Sequence, residues 1–182
     1  SLLNHLFLRN FSEHRSIEVY DPTKPLKEKT IYFHDSYETA EIDYRKPSAV
    51  NGRAAHQYIC DAYDCVRNGI ADAIVTAPIC KESFQLADIF FTGHTTLLKH
   101  LAKVDDVSMG FYTNSLNVVL ATIHVPLSEV SAMITPKLLK KKIDHAVGFL
   151  KQLDFKRLKI AVAGLNPHAG ENGLLGYEEI DT

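Results

Sequence analysis

Apolar and polar positions alternate along this chain in two periods, and the two periods take turns. From Ala49 to Asn68 the apolar residues Ala54, Ala55, Tyr58, Ile59, Ala62, Tyr63 and Val66 recur at steps of three and four, which predicts a long helix. Pro47-Ser48 precedes it, with Ser48 a good N-cap, and Asn68-Gly69 closes it. Thr135-Pro136 opens a second such helix through Leu153, with Pro at the first position. Its apolar stripe is Leu138, Leu139, Ile143, Val147, Leu150 and Leu153.

Between the helices lie short apolar runs that read as strands. Ile17–Tyr20 and Ile31–Phe33 are two short ones, separated by a Pro-bearing loop from Asp21 to Lys29. Ala71–Thr76 reads as a buried strand closed by Pro78, and Lys159–Ala163 as the last strand. Val107–Tyr112 and Asn117–Ile123 flank a Thr113-Asn114-Ser115 turn and predict a hairpin. A helical turn follows Lys81, Thr95 or Thr96 caps a helix over Leu97–Leu101, and a helix starts near Glu178. A short helical pattern at Leu2, Leu3, Leu6 and Leu8 opens the chain. Helices alternating with apolar strands predict an α/β fold with a mixed, largely parallel and buried sheet, helices on both faces.

Composition narrows the function. With 182 residues and 46% hydrophobic content the chain can build a real core. A net charge of −2 and no basic stripe argue against a nucleic-acid partner. No apolar run reaches the ~18 residues of a membrane span. Three cysteines, Cys60, Cys65 and Cys80, without paired spacing fit a reducing compartment, so a cytoplasmic protein is expected.

The candidate chemistry sits in the loops. Gly164-Leu-Asn-Pro-His-Ala-Gly-Glu171 follows the last strand and puts His168 at its carboxyl end, where ligands bind in open α/β sheets. His124 likewise follows the run Ala121-Thr-Ile123. Neutral imidazoles are common ligands of Zn²⁺ and similar ions, and neighbouring parallel strands would bring these two together. A catalytic metal needs a third protein ligand. Each His stands equally as an ordinary hydrogen-bonding residue; His5, His14, His34, His56, His100 and His145 lack the loop context and read as solvated or structural. Gly93-His94-Thr95 before a helix suits an anion, or is plain capping. Lys81 is either an anion contact or a solvated lysine. Cys80 is a nucleophile only in an environment that lowers its pKa, and reads as buried or incidental. Neither GxGxxG after a strand nor GxxxxGK[ST] is present.

In order along the chain, Val75-Thr-Ala-Pro-Ile-Cys-Lys-Glu82, Thr92-Gly-His-Thr95, Ala121-Thr-Ile-His-Val-Pro-Leu127, Ile134-Thr-Pro136, the GLNPHAGE run, Gly176 and Glu178-Glu-Ile-Asp181 closely resemble the 4-hydroxythreonine-4-phosphate dehydrogenase family of pyridoxal phosphate biosynthesis. The resemblance spans about residues 48–182. It implies an isocitrate/isopropylmalate-dehydrogenase-like fold, a homodimer with its site at the interface, and metal-dependent, NAD- or NADP-linked oxidation of a secondary alcohol, with Zn, Mg or Co as the ion. By motif match, His124 and His168 are two metal ligands, and His94 and Thr95 are substrate contacts. The family's third His ligand has no counterpart in this chain. Residues 1–182 are therefore expected to be the central part of a two-subdomain enzyme, without the family's N- and C-terminal segments. Departures are Ala87-Asp88 before the Gly-His-Thr loop, Thr96 after it, and Asn172-Gly-Leu-Leu175 after GLNPHAGE. They leave open the substrate, including a four-carbon sugar-acid phosphate. A binding module without catalysis and a metal-dependent hydrolase are the readings outside the oxidoreductases.

Overall fold

The computed structural model describes residues 16–37 and 45–182. The opening helical pattern at Leu2–Leu8, with His5 and His14, lies outside the described residues. The chain divides into two units, residues 1–104 and 105–182.

In the first unit, β1 (Ser16–Val19) and β2 (Thr30–Phe33) are the two short strands the sequence predicts. They pair in parallel, Ile17 opposite Ile31 and Val19 opposite Phe33. Three helices follow: α1 (Ala49–Arg67), α2 (Lys81–Leu86) and α3 (His94–Ala102). α1 starts as its sequence predicts, the Ser48 side chain accepting from the Asn51 N–H at 3.2 Å. It ends at Asn68. α3 departs from expectation: neither Thr95 nor Thr96 caps it. Gly93 holds the cap position, and the Thr96 hydroxyl turns back to donate to the Gly93 carbonyl at 3.0 Å. A hydroxyl inside the first turn is spent on the preceding carbonyl, so the helix begins three residues earlier than predicted.

Ile59, Phe84 and Leu97, one from each helix, form the buried core of this unit. Phe84 and Leu97 are fully enclosed, each contributing about 1.5–3 kcal/mol of apolar burial. α1 and α2 approach so closely that a Cβ on Gly52 would stand 2.0 Å from the Ser83 carbonyl oxygen. Ser83, itself buried, accepts from the Ser48 N–H at 3.1 Å through its hydroxyl.

In the second unit, β3 (Gly110–Phe111) and β4 (Val118–Val119) form an antiparallel hairpin. The predicted hairpin is present but short. Its turn is built by side chains: Thr113 Oγ1 accepts from the Leu116 N–H at 2.9 Å, and Asn117 Oδ1 accepts from the Thr113 N–H at 3.0 Å. α4 (Leu127–Met133), which the sequence reading leaves without an element, follows Pro126. α5 (Pro136–Gln152) is the predicted second long helix, with Thr135 accepting from the Leu138 N–H. Polar ties anchor α5 to the segment before β3. Lys142 Nζ donates to Asp106 at 2.9 Å and to the Val107 carbonyl at 3.0 Å, and Ser108 Oγ lies 2.7 Å from His145 Nδ1. A short α6 (Glu178–Asp181) closes the chain where a helix start is predicted.

The predicted strands 71–76 and 159–163 join no ladder among the described residues. Val75 is 98% exposed and Val162 60%. A strand of this apolar type is held by hydrogen bonds and side chains on both sides, and no described segment supplies them. The described strands accordingly form two separate two-stranded sheets and not one mixed sheet with helices on both faces. Among the described residues of the second unit only Gly170 is buried.

Candidate functional site

His168 does not leave the end of a strand. It opens a left-handed turn in which five consecutive residues, His168, Ala169, Gly170, Glu171 and Asn172, have φ between 45° and 78°. Left-handed backbone costs an L-residue roughly 1–2 kcal/mol, so four non-glycine residues here need outside support. Asn166 provides it. Its carbonyl accepts the Ala169 N–H at 3.1 Å. Its own N–H donates to Glu179 Oε1 at 2.7 Å. Its amide Nδ2 donates to Glu178 Oε2 at 2.7 Å and to Glu179 Oε2 at 3.0 Å. The packing leaves no room beside these groups. A Cβ on Gly170 would meet the Gly176 carbonyl at 2.7 Å, and one on Gly176 would meet Asn166 Nδ2 at 2.3 Å.

His124 lies five residues beyond β4, in the loop before α4, and is also left-handed, with φ 55°. Neither His124 nor His168 therefore sits at the end of a strand in a parallel ladder; each lies in a loop with left-handed backbone. The loops are linked. Ser131, on α4, donates its hydroxyl to Glu178 Oε1, the same carboxylate that accepts from Asn166. Both imidazoles are exposed, and among the described residues neither has a hydrogen-bond partner.

These contacts set the charge. The Ser131 hydroxyl first, then the Glu178 N–H and the Asn166 amide, hold the Glu178 carboxyl down at about 2. The Asn166 N–H and side-chain amide lower Glu179 in the same direction. Both side chains are anions at any neutral pH. Ser131, Asn166, Glu178 and Glu179 carry this arrangement, and sequence reasoning assigned none of them a role. The spacing of Asn166 two residues before His168 was visible, but the partner that makes it matter is on another helix.

In the first unit, His94 is the first residue of α3 and Thr95 the second, both half-buried. Lys81 is exposed at the start of α2. Cys80 is a correction: it is exposed, and the Ser83 hydroxyl, with the Ser83 and Glu82 N–H groups, holds its thiol below the usual value. Of the other histidines, His56 lies 3.8 Å from Cys60 and stacks on Phe91, His100 contacts Phe91, His34 faces Asp61 at 4.0 Å, and His145 meets Ser108. All four have structural partners, as expected of them.

Residues 4–182 match the family model described as pyridoxal phosphate biosynthetic protein PdxA. The chain belongs to the PdxA family. A relative from Halalkalibacterium halodurans, provisionally named D-threonate 4-phosphate dehydrogenase, is 35% identical over 147 residues, covering 81% of this chain and 44% of that relative. A 4-hydroxythreonine-4-phosphate dehydrogenase from Synechocystis is 41% identical over 149 residues, covering 78% and 42%. The crystal structure of 4-hydroxythreonine-4-phosphate dehydrogenase from Klebsiella pneumoniae superposes with a TM-score of 0.81 at 33% identity, over 98% of this chain and 55% of that one. The PdxA-family chain thus spans less than half the length of these curated relatives and about half of the solved structure.

Within it, His124 and His168 are exposed imidazoles, and no polar group among the described residues occupies their ring nitrogens. Two exposed imidazoles without competing partners are suitable ligands for Zn²⁺ or Co²⁺. Among the described residues no group of three His, Cys, Asp or Glu side chains gathers that would hold an ion alone. Among those residues, too, no helix is long and apolar enough to cross a membrane.

Proposed function

We propose that this chain carries part of the active site of a metal-dependent, NAD- or NADP-linked dehydrogenase of vitamin B6 biosynthesis. The reaction is oxidation of 4-phosphohydroxy-L-threonine at its secondary alcohol, giving 2-amino-3-oxo-4-phosphobutanoate, which loses CO₂ to leave 3-amino-2-oxopropyl phosphate. The observation that carries this reading is the family match over residues 4–182, with relatives named for that substrate. The working form is a cytoplasmic homodimer with the site at the subunit interface, in an isocitrate-dehydrogenase-like fold.

His124 and His168 hold the divalent ion. A divalent ion held there would supply Lewis-acid polarisation of the substrate hydroxyl, and a nicotinamide would supply the hydride acceptor. The left-handed turn presents the His168 ring to solvent and leaves its nitrogens free for a ligand. His94 and Thr95 contact the substrate at the start of α3, where unpaired amides favour a phosphate. Glu178 and Glu179 stay ionised but are engaged by Ser131 and Asn166, so they do not take the hydroxyl proton.

A second reading rests on a specific observation: relatives provisionally named for D-threonate 4-phosphate match at 35% and 41% identity, beside 41% and 39% for two named for 4-hydroxythreonine 4-phosphate. The two substrates share the four-carbon backbone, the phosphate and the oxidisable alcohol; they differ in a hydroxyl or an amine beside the carboxylate. The deciding experiment is nicotinamide reduction by the full-length protein with each substrate, before and after chelation and metal add-back. Metal-dependent reduction with the hydroxythreonine phosphate supports the first reading. Reduction with D-threonate 4-phosphate alone transfers the assignment. No reduction with either, in a folded and metal-loaded protein, overturns both.

A further inference from the structure

His124 and His168 sit on different loops, 44 positions apart in sequence. A pair of ligands serves one ion only if both loops are fixed together. One side chain joins them. Glu178 accepts the Ser131 hydroxyl on one carboxylate oxygen and the Asn166 amide at 2.7 Å on the other. Ser131 lies on α4, the helix that begins three residues after His124. Asn166 caps the left-handed turn that begins with His168. The contact is close-packed: a Cβ on Gly176 would stand 2.7 Å from Glu178 Oε2. Glu178 is the second residue after Gly176 and the first of α6.

We propose that Glu178 is a positioning residue that locks the His124 loop to the His168 turn through Ser131 and Asn166. The role rests on the metal reading above. Glu178 touches neither histidine; it sets where both are held. Cutting the Ser131 link leaves each loop intact but lets them move independently, so affinity for the ion falls while the fold stays.

The test uses the full-length protein and Co²⁺ alone, titrated by its visible absorption. Ser131→Ala and Glu178→Gln each weaken Co²⁺ binding by about tenfold, the size typical of groups that orient ligands from behind. The double variant is little weaker than either single one, because one link is removed in all three. Ser131→Thr, which keeps the hydroxyl, restores binding. Ser131 is exposed, so its variants melt close to the parent temperature. Wild-type Co²⁺ affinity in Ser131→Ala and Glu178→Gln, with loss in His168→Ala, overturns the positioning role and leaves the metal reading standing. Wild-type affinity in His168→Ala overturns the metal reading, and this role with it.

Discussion

Gly52 and Ser83 lie where no side chain fits between them. Gly52 is in the fourth position of α1, and an added Cβ would approach the Ser83 carbonyl oxygen to 2.0 Å and its carbon to 2.6 Å. Backbone lies on the other side, so nothing flexible can give way. A mid-helix glycine costs about 1 kcal/mol relative to alanine, yet here it admits the contact that seats Phe84 against Ile59 and Leu97. Gly52→Ala is expected to destabilise the protein by about 1–3 kcal/mol, the usual range for overpacking. Gly148→Ala, in α5 with nothing within 4 Å of its added methyl, is expected to stabilise by about 0.5–1 kcal/mol. Urea unfolding of the two variants checks both signs. A stabilised Gly52→Ala shows that α1 and α2 are not in this contact.

Much of the helical structure was legible in the sequence because its signals are local. Ser48, Asn68 and Thr135 mark helix ends through hydrogen bonds made within a few residues, Pro136 marks one by its fixed φ, and the structure places all four as their chemistry requires. Thr95 and Thr96 failed as caps because a glycine one turn earlier offered a carbonyl to the Thr96 hydroxyl. The runs 71–76 and 159–163 failed for the opposite reason. Their apolar character is a statement about neighbours, and a strand exists only when another strand pairs with it. The site divides the same way. His124 and His168 stood out by their loops, but the left-handed turn and the Ser131–Glu178–Asn166 link depend on contacts 12 and 47 residues apart.

The left-handed turn stores strain that a single substitution should release. Ala169, with φ 51° and ψ 45°, is an exposed non-glycine residue in its middle. Ala169→Gly removes a steric cost of roughly 1–2 kcal/mol and gives part of it back in unfolded-chain entropy. A net gain of about 0.5–1 kcal/mol in thermal unfolding is expected. A loss in stability would mean that Ala169 is not left-handed in solution.

Acid should loosen this turn before it unfolds the rest. Glu178 is held at about 2 in the folded chain, against 4.5 for a free glutamate, and Glu179 is lowered as well. A depressed carboxyl stabilises the fold above its unfolded value and loses that contribution as pH falls through its folded value. The support for Asn166 is therefore complete above about 4.5 and fades between there and about 2. Both groups lie at the surface, so salt screening keeps the effect modest. Amide exchange of residues 164–176, followed from pH 5 down to pH 2 in the wild type and in Glu178→Gln, reads this directly. The wild type should approach the variant as pH falls. A constant difference across that range assigns the protection to something other than the charge.

Replacing the two histidines separates binding from folding most sharply. Both are exposed and make no hydrogen bond among the described residues, so His124→Ala and His168→Ala should change stability by no more than about 0.5 kcal/mol. On the metal reading each removes a ligand, and metal-dependent nicotinamide reduction by the full-length protein should be lost in both. The pair of measurements matters more than either one. Lost turnover with an unchanged melting temperature places the histidines in the chemistry. Lost turnover with a collapsed melting temperature places them in the fold, against their exposure. Near-normal turnover in both variants removes the ion from these two side chains altogether, and leaves the loops that hold them without the function proposed here.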